Sequence, residues 1–230
     1  MITESGSLRS RARWLVLAAL LTVAAAGGVW LLKGTPQTAP PEAGNGASAP
    51  PSTQPSSVDS CAIVWFTAPD LTKVPRSACH GPRDIDAGRA RGFSHDERGA
   101  VFAAINLSMR LSAAAGPAVF NPTFAEQTVG DSRAAVAELA GESTTARPAE
   151  VRPTQWWSRV TAGDPAGDLV EVELLAATPQ ATASGQYAQL TVVLRWDGGD
   201  WKVQLPRRRA HAASSTAGFS SLGAIPGATS

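Results

Sequence analysis

Hydrophobic and polar positions change their rhythm several times along this 230-residue chain. Residues 14–32 (WLVLAALLTVAAAGGVWLL) form an apolar run without a charge, and residues 34–57 contain no large apolar side chain at all. Over 95–114 the positions Val101, Phe102, Ile105, Met109 and Ser112 recur at spacings of three and four, which predicts a helix with a core-facing stripe. Ser94 with Glu97 reads as its capping box, and Gly116-Pro117 as its stop. Asn121-Pro122 reads as a cap and first-turn proline opening a short helix through Phe124 and Gln127; Asp131 reads as the cap of another over 132–140, carrying Val136 and Leu139.

Beyond Arg147-Pro148 the period becomes two. Residues 154–161 (TQWWSRVT) put Trp156, Ser158 and Val160 on one side and Trp157, Arg159 and Thr161 on the other. Residues 169–176 (LVEVELLA) turn Val170, Val172 and Leu174 inward and Glu171 and Glu173 outward. Residues 187–196 run into Asp197-Gly198-Gly199-Asp200, a strong hairpin signal, and 201–205 (WKVQL) return antiparallel. Helices followed by an antiparallel meander predict an α+β domain in which a curved sheet wraps a helix.

The apolar run is long enough to cross a membrane, since about 19 residues at ~1.5 Å each cover most of a ~30 Å hydrocarbon core. Arg9, Arg11 and Arg13 before it outweigh Lys33 after it, so the expected topology is single-pass in the cell membrane, with 1–13 cytoplasmic, 14–32 spanning, and the rest extracytoplasmic. Trp14 and Trp30 fit the headgroup layers. A cleaved signal peptide ending near Ala24 to Ala26 is the rival, although apolar residues resume at Val29 to Leu32. Residues 33–57 read as a disordered Pro/Ser-rich linker, which cannot bury enough surface to offset chain entropy. The folded domain is expected over 58–206, followed by a low-complexity tail over 207–230.

Composition limits the function. Only Lys33, Lys73 and Lys202 are lysine among 20 basic residues, a bias of GC-rich bacterial genomes. A net charge of +1 supplies no footprint for direct nucleic-acid binding. Phosphate loops, zinc-protease helices and nucleophile elbows are missing, and no cofactor is implied. Cys61 and Cys79 fall on the outer side, where thiols pair, so a disulfide is expected; the alternative is a metal site adding His80, which lacks paired-ligand spacing. Ser94-His95-Asp96 is no triad by adjacency, because consecutive helical side chains point about 100° apart. Asn106-Leu107-Ser108 matches a glycosylation sequon inside the expected helix, where chance is the simpler account. Candidate partner-binding residues are Trp156 and Trp157, which cannot share a face of one strand, and Phe219, Leu222 and Ile225 in the tail. Core packing competes for the tryptophans, and disorder or docking on the domain for the tail.

The element order closed by the W-D-G-G-D-W hairpin resembles the cystatin-like fold of the nuclear transport factor superfamily, over roughly 92–206. Gly92-Phe93-Ser94-His95, Gly99-Ala100, Ala103-Ala104-Ile105-Asn106 and Asn121-Pro122-Thr123-Phe124 with Gln127 and Val129-Gly130 resemble actinobacterial single-span membrane proteins associated with integrative and conjugative elements. That resemblance implies a non-enzymatic scaffold of a conjugative, type IV secretion-like channel, with membrane lipid and other complex subunits as partners and a homo-oligomer left open. An accessory role in a lipid-import or other envelope complex is the alternative. An enzyme using the fold's pocket, with His95, Asp96 or Tyr187 as acid or base, is a third.

Overall fold

The computed structural model describes residues 61–228. The expected span at 14–32 and the linker at 33–57 lie outside the described residues, and among the described residues no helix is long and apolar enough to cross a membrane.

The domain opens with an antiparallel hairpin of β1 (Val64–Thr67) and β2 (Lys73–Arg76). Asp70, fully buried between them, accepts hydrogen bonds from the Thr72 amide and hydroxyl, each 3.0 Å, and pairs with Arg147 at 3.1 Å. The Cys61–Cys79 disulfide closes around this hairpin, spanning 18 residues with a Cα–Cα distance of 5.0 Å, as expected from the sequence. A second small hairpin follows, β3 (Asp84–Asp86) with β4 (Arg89–Arg91).

Helix α1 (Glu97–Arg110) is shorter than the 95–114 expected, and its cap is Asp96 rather than Ser94. The Asp96 carboxylate accepts the Gly99 N–H at 2.7 Å, while the Ser94 carbonyl accepts the Trp201 indole N–H at 2.9 Å. Ser112 lies past the helix end, before a 3-10 turn at Ala113–Ala115. The expected stripe is buried, yet so is every other residue from Gly99 to Arg110, because the sheet packs on one side of α1 and β2, β4 and the next helix on the other. Polar groups inside this wrap must be paired. Asn106 donates to the carbonyls of Pro75 (2.9 Å) and Phe102 (3.0 Å), which also buries the sequon. Arg110 donates to Gly88 at 2.6 Å and to the Asn106 carbonyl and side-chain oxygens at 3.0 Å. Burial lowers its pKa to about 10 against the pull of Asp70, so it stays charged at neutral pH.

Helix α2 (Pro117–Glu126) starts at Gly116-Pro117, not at Asn121. The Gly-Pro pair read as a stop also serves as a start, with proline at the first helical position, and Pro122 sits inside the helix at the loss of one backbone bond. After β5 (Thr128–Val129), helix α3 (Ser132–Glu138) has the expected Asp131 cap, accepting the Ala134 N–H at 3.0 Å. The meander is β6 (Gln155–Gly163), β7 (Leu169–Ala177), β8 (Tyr187–Asp197) and β9 (Asp200–Gln204), each strand within two residues of expectation, with an unexpected short helix α4 (Pro179–Thr182) between β7 and β8.

Two further strands come from the stretch expected as tail: β10 (His211–Ala213) pairs with the start of β8, and β11 (Ser220–Ala224) with β6. The folded domain therefore extends past 206. The main sheet runs β11-β6-β7-β8-β9-β5, with β10 also on β8, antiparallel except for β5 against β9. It is a curved sheet around α1, a mixed α+β architecture. Trp156, Val172, Leu174 and Leu194 of its inner face join Phe102, Ile105 and Leu107 of α1 in one core.

Candidate functional site

Of the candidate partner-binding residues, the structure sends three to the core. Trp156 is buried and donates its indole N–H to the Lys73 carbonyl at 3.3 Å. Ile225 is buried beyond β11, and Leu222 packs against the same core. Trp157 and Phe219 remain half-buried on the outer face of the sheet, opposite α1. There Trp157 meets Tyr187 edge to face at a centroid separation of 5.4 Å, and the Arg159 guanidinium lies 4.2 Å above the Phe219 ring. Arg159 is fixed in turn by Glu173, at 2.6 and 2.7 Å. Leu175, in register between Trp157 and Gln189, is fully buried although it belongs to this outer face, so the aromatic residues sit on a closed platform. Rigid amphipathic rings held by ion-paired neighbours suit a protein contact, since little side-chain freedom is left to lose. Tyr187 as a neighbour of Trp157, and Phe219 as a neighbour of Arg159, could not be read from the sequence, because they come from β8 and from the turn before β11.

The Gly92-to-Gly99 motif, by contrast, is a structural clamp. Asp200 of the hairpin accepts the N–H groups of Gly92 (2.8 Å), Phe93 (3.1 Å) and Trp201 (2.9 Å). Burial raises its pKa above the ordinary aspartate value, against the lowering effect of those three donors and of Arg91. His95 stacks on Trp196 with centroids 4.0 Å apart and shares a 2.8 Å hydrogen bond with the Gly167 carbonyl. A side chain on Gly99 would put Cβ 2.0 Å from the Ser94 carbonyl oxygen, so only glycine lets α1 start beneath this segment.

His80 supplies a partner the sequence reading missed: its Nδ1 is 3.3 Å from both Ser94 Oγ and Asp96 Oδ2. A serine relay needs the acid on one ring nitrogen and the serine on the other, and here both share Nδ1. Burial opposes the Asp96 charge, but hydrogen bonds from Gly99 and Ser94 and the adjacent His80 outweigh it and hold the carboxyl below its ordinary range. Tyr187 is engaged with Trp157, and no hydrogen bond, ion pair or ring contact joins any two of His95, Asp96 and Tyr187. Both cysteine sulfurs are committed to the disulfide, and no group of three metal-ligating side chains occurs among the described residues.

A cleft of about 570 Å³ opens where α3 and the 207–210 segment meet the inner face of the sheet. Its apolar walls include Met109, Leu139, Trp156, Ala176, Ala188 and Leu190, and its rim carries Arg147, Arg207, Arg208 and Arg209 with Glu138 and Glu142. The arginine triplet is placed there by the strands on either side of it: Leu205 N–H donates to Val129 O at 2.8 Å just before, and β10 pairs with β8 just after.

Together these features define a disulfide-stapled α+β domain with an aromatic outer platform and an arginine-rimmed inner cleft. The chain belongs to the family described as a domain of unknown function, DUF8175, whose model matches residues 26–224. No curated protein and no solved structure matches it.

Proposed function

We propose that this chain is a non-enzymatic assembly subunit, anchored in the cell membrane by residues 14–32, whose cystatin-like extracytoplasmic domain docks other subunits of an actinobacterial conjugative, type IV secretion-like apparatus. The observation that carries the reading is the aromatic patch on the sheet face opposite α1, where Trp157 packs on Tyr187 and Phe219 lies under Arg159, itself paired with Glu173. Disulfide closure supports an oxidising compartment. Tethering supports assembly physically, because a spacer-linked domain meets membrane partners at raised effective concentration.

The test places a photocrosslinking amino acid at Trp157 in the full-length protein in its native membrane, with a matched probe at the solvent-facing Glu150 as control. Adducts to channel subunits at Trp157 and not at Glu150 are the expected result, and Trp157→Ala should lower transfer of the element. Adducts to lipid-transporter subunits would move the assignment to that envelope complex. Identical adduct patterns at the two positions would overturn the platform as a docking face.

A further inference from the structure

The inner cleft is not used by the outer platform and has a chemistry of its own. Small-molecule sites span roughly 300–1,000 Å³, are mostly apolar, and carry a few convergent polar groups. This cleft has that size, and Trp156, Leu139, Ala176, Ala188 and Leu190 give it an apolar wall. Burial and pairing separate its four arginines: Arg209 is unpaired among the described residues but solvent-exposed, where water meets its donors. Arg147 is committed to Asp70 at 3.1 Å and Arg208 to Glu171 at 2.7 Å. Arg207 has neither kind of partner. It lies half-buried over the Phe124 ring, 5.3 Å from the centroid, and none of its N–H groups meets an acceptor among the described residues. Its nitrogens are not sealed in protein, and the residue lines the cleft. Burial depresses its pKa, opposed by the fields of Glu142 and Glu138. Those glutamates are solvent-exposed and form no ion pair with it, so they moderate its charge without meeting its donors.

A guanidinium with unmet, forked donors beside an apolar wall is complementary to one kind of molecule. We propose that the cleft binds an amphipathic small molecule with one carboxylate or phosphate group, its anionic head on Arg207 and its apolar body along Trp156, Ala188 and Leu190. Because the 207–209 segment is pinned by β9 on one side and β10 on the other, the head-group site is organised before the ligand arrives, which reduces the ordering cost of binding. The shared chemistry, a monoanion with an apolar body, fits both a lipid-derived alkyl acid and a soluble aromatic acid.

Calorimetric titration of the full-length chain in phosphatidylcholine nanodiscs, with empty discs as the blank, separates the cases. Decanoate represents the alkyl acid, 3-phenylpropionate the aromatic acid, and decyltrimethylammonium reverses the sign of the head at constant tail. At least one acid should bind and the cation should not. Arg207→Gln should weaken the acid about tenfold or more, the scale of one lost charge-assisted pair. Ala188→Phe, which fills the cleft without removing a charge, should abolish binding. Tighter decanoate assigns the site to lipid-derived acids, and tighter 3-phenylpropionate to aromatic ones. Binding of neither acid, equal binding of the cation, or an affinity unchanged in Ala188→Phe overturns the proposal; these read-outs decide it even if Arg207→Gln fails to fold.

Discussion

Asp96 and Asp200 both accept backbone N–H groups, one and three respectively, and respond to acid in opposite senses. The Asp96 carboxyl is held below its ordinary value of 3.8, so its contribution to stability is present above that pH and is lost as pH falls through the lowered folded value. Asp200 is raised above 3.8, so its contribution is full below that pH and is lost as pH rises through the raised value. Asp96→Asn keeps a cap acceptor for Gly99 while removing the titration. Urea midpoints should therefore show the variant below the parent at neutral pH, with the gap closing as the pH is lowered from about 5 toward about 1. A gap that widens on acidification would show that Asp96 is not stabilised as a carboxylate. The cap was only partly legible in the sequence: Ser94, Asp96 and Glu97 all carry cap-type chemistry within four positions, and the choice among them depends on Trp201 and Asp200, about a hundred residues away, which engage the Ser94 carbonyl and the Gly92 and Phe93 N–H groups and so set the path of the chain into α1. His80 beside Asp96 was illegible for the same reason.

At the scale of elements, the strands that were legible, β6 to β9, are those in which large apolar side chains alternate with polar ones. The start of α2 was misplaced because Gly116-Pro117 and Asn121-Pro122 are both valid helix openings, and local chemistry does not rank them. β10 and β11 were invisible because their Ala, Ser and Gly side chains carry no period; what recruits them is the backbone of β8 and β6, whose edges would otherwise be open. Leu222 and Ile225 then anchor the last strand to the core. Truncation after Arg209 should accordingly lower stability by on the order of 3 kcal/mol, from lost apolar burial and strand pairing, as read from urea denaturation. An unchanged midpoint would show that 210–228 rides on the domain without being part of its cooperative unit.

For the whole molecule, the question is how an irregular entrance is kept on a regular core. Residues 61–91 carry only two short hairpins, yet they form one side of the wrap around α1, with Val74 and Ala90 fully buried. Long-range bonds hold them there: Trp156 reaches the Lys73 carbonyl, Asn106 the Pro75 carbonyl, Arg110 the Gly88 carbonyl and Gln127 the Ala90 carbonyl, while Arg147 pairs with Asp70 and Glu126 with Arg89 and Arg91. The disulfide adds a constraint of a different kind, a covalent closure over 18 residues, with Ser77 Oγ donating to the Cys61 carbonyl at 3.1 Å and accepting the Cys79 N–H at 3.2 Å inside the ring. On the chain-entropy account this is worth ~3 kcal/mol. Replacing both cysteines by serine should lower stability by about that amount, and the loss should be uneven. Amide hydrogen exchange should rise first across β1 and β2, while β7 and β8, paired on both sides within the sheet, keep their protection until global unfolding. Uniform loss of protection would mean that the entrance and the sheet unfold as one unit, whereas an unchanged midpoint would mean that Val74, Trp156 and Asn106 hold the entrance without the covalent link.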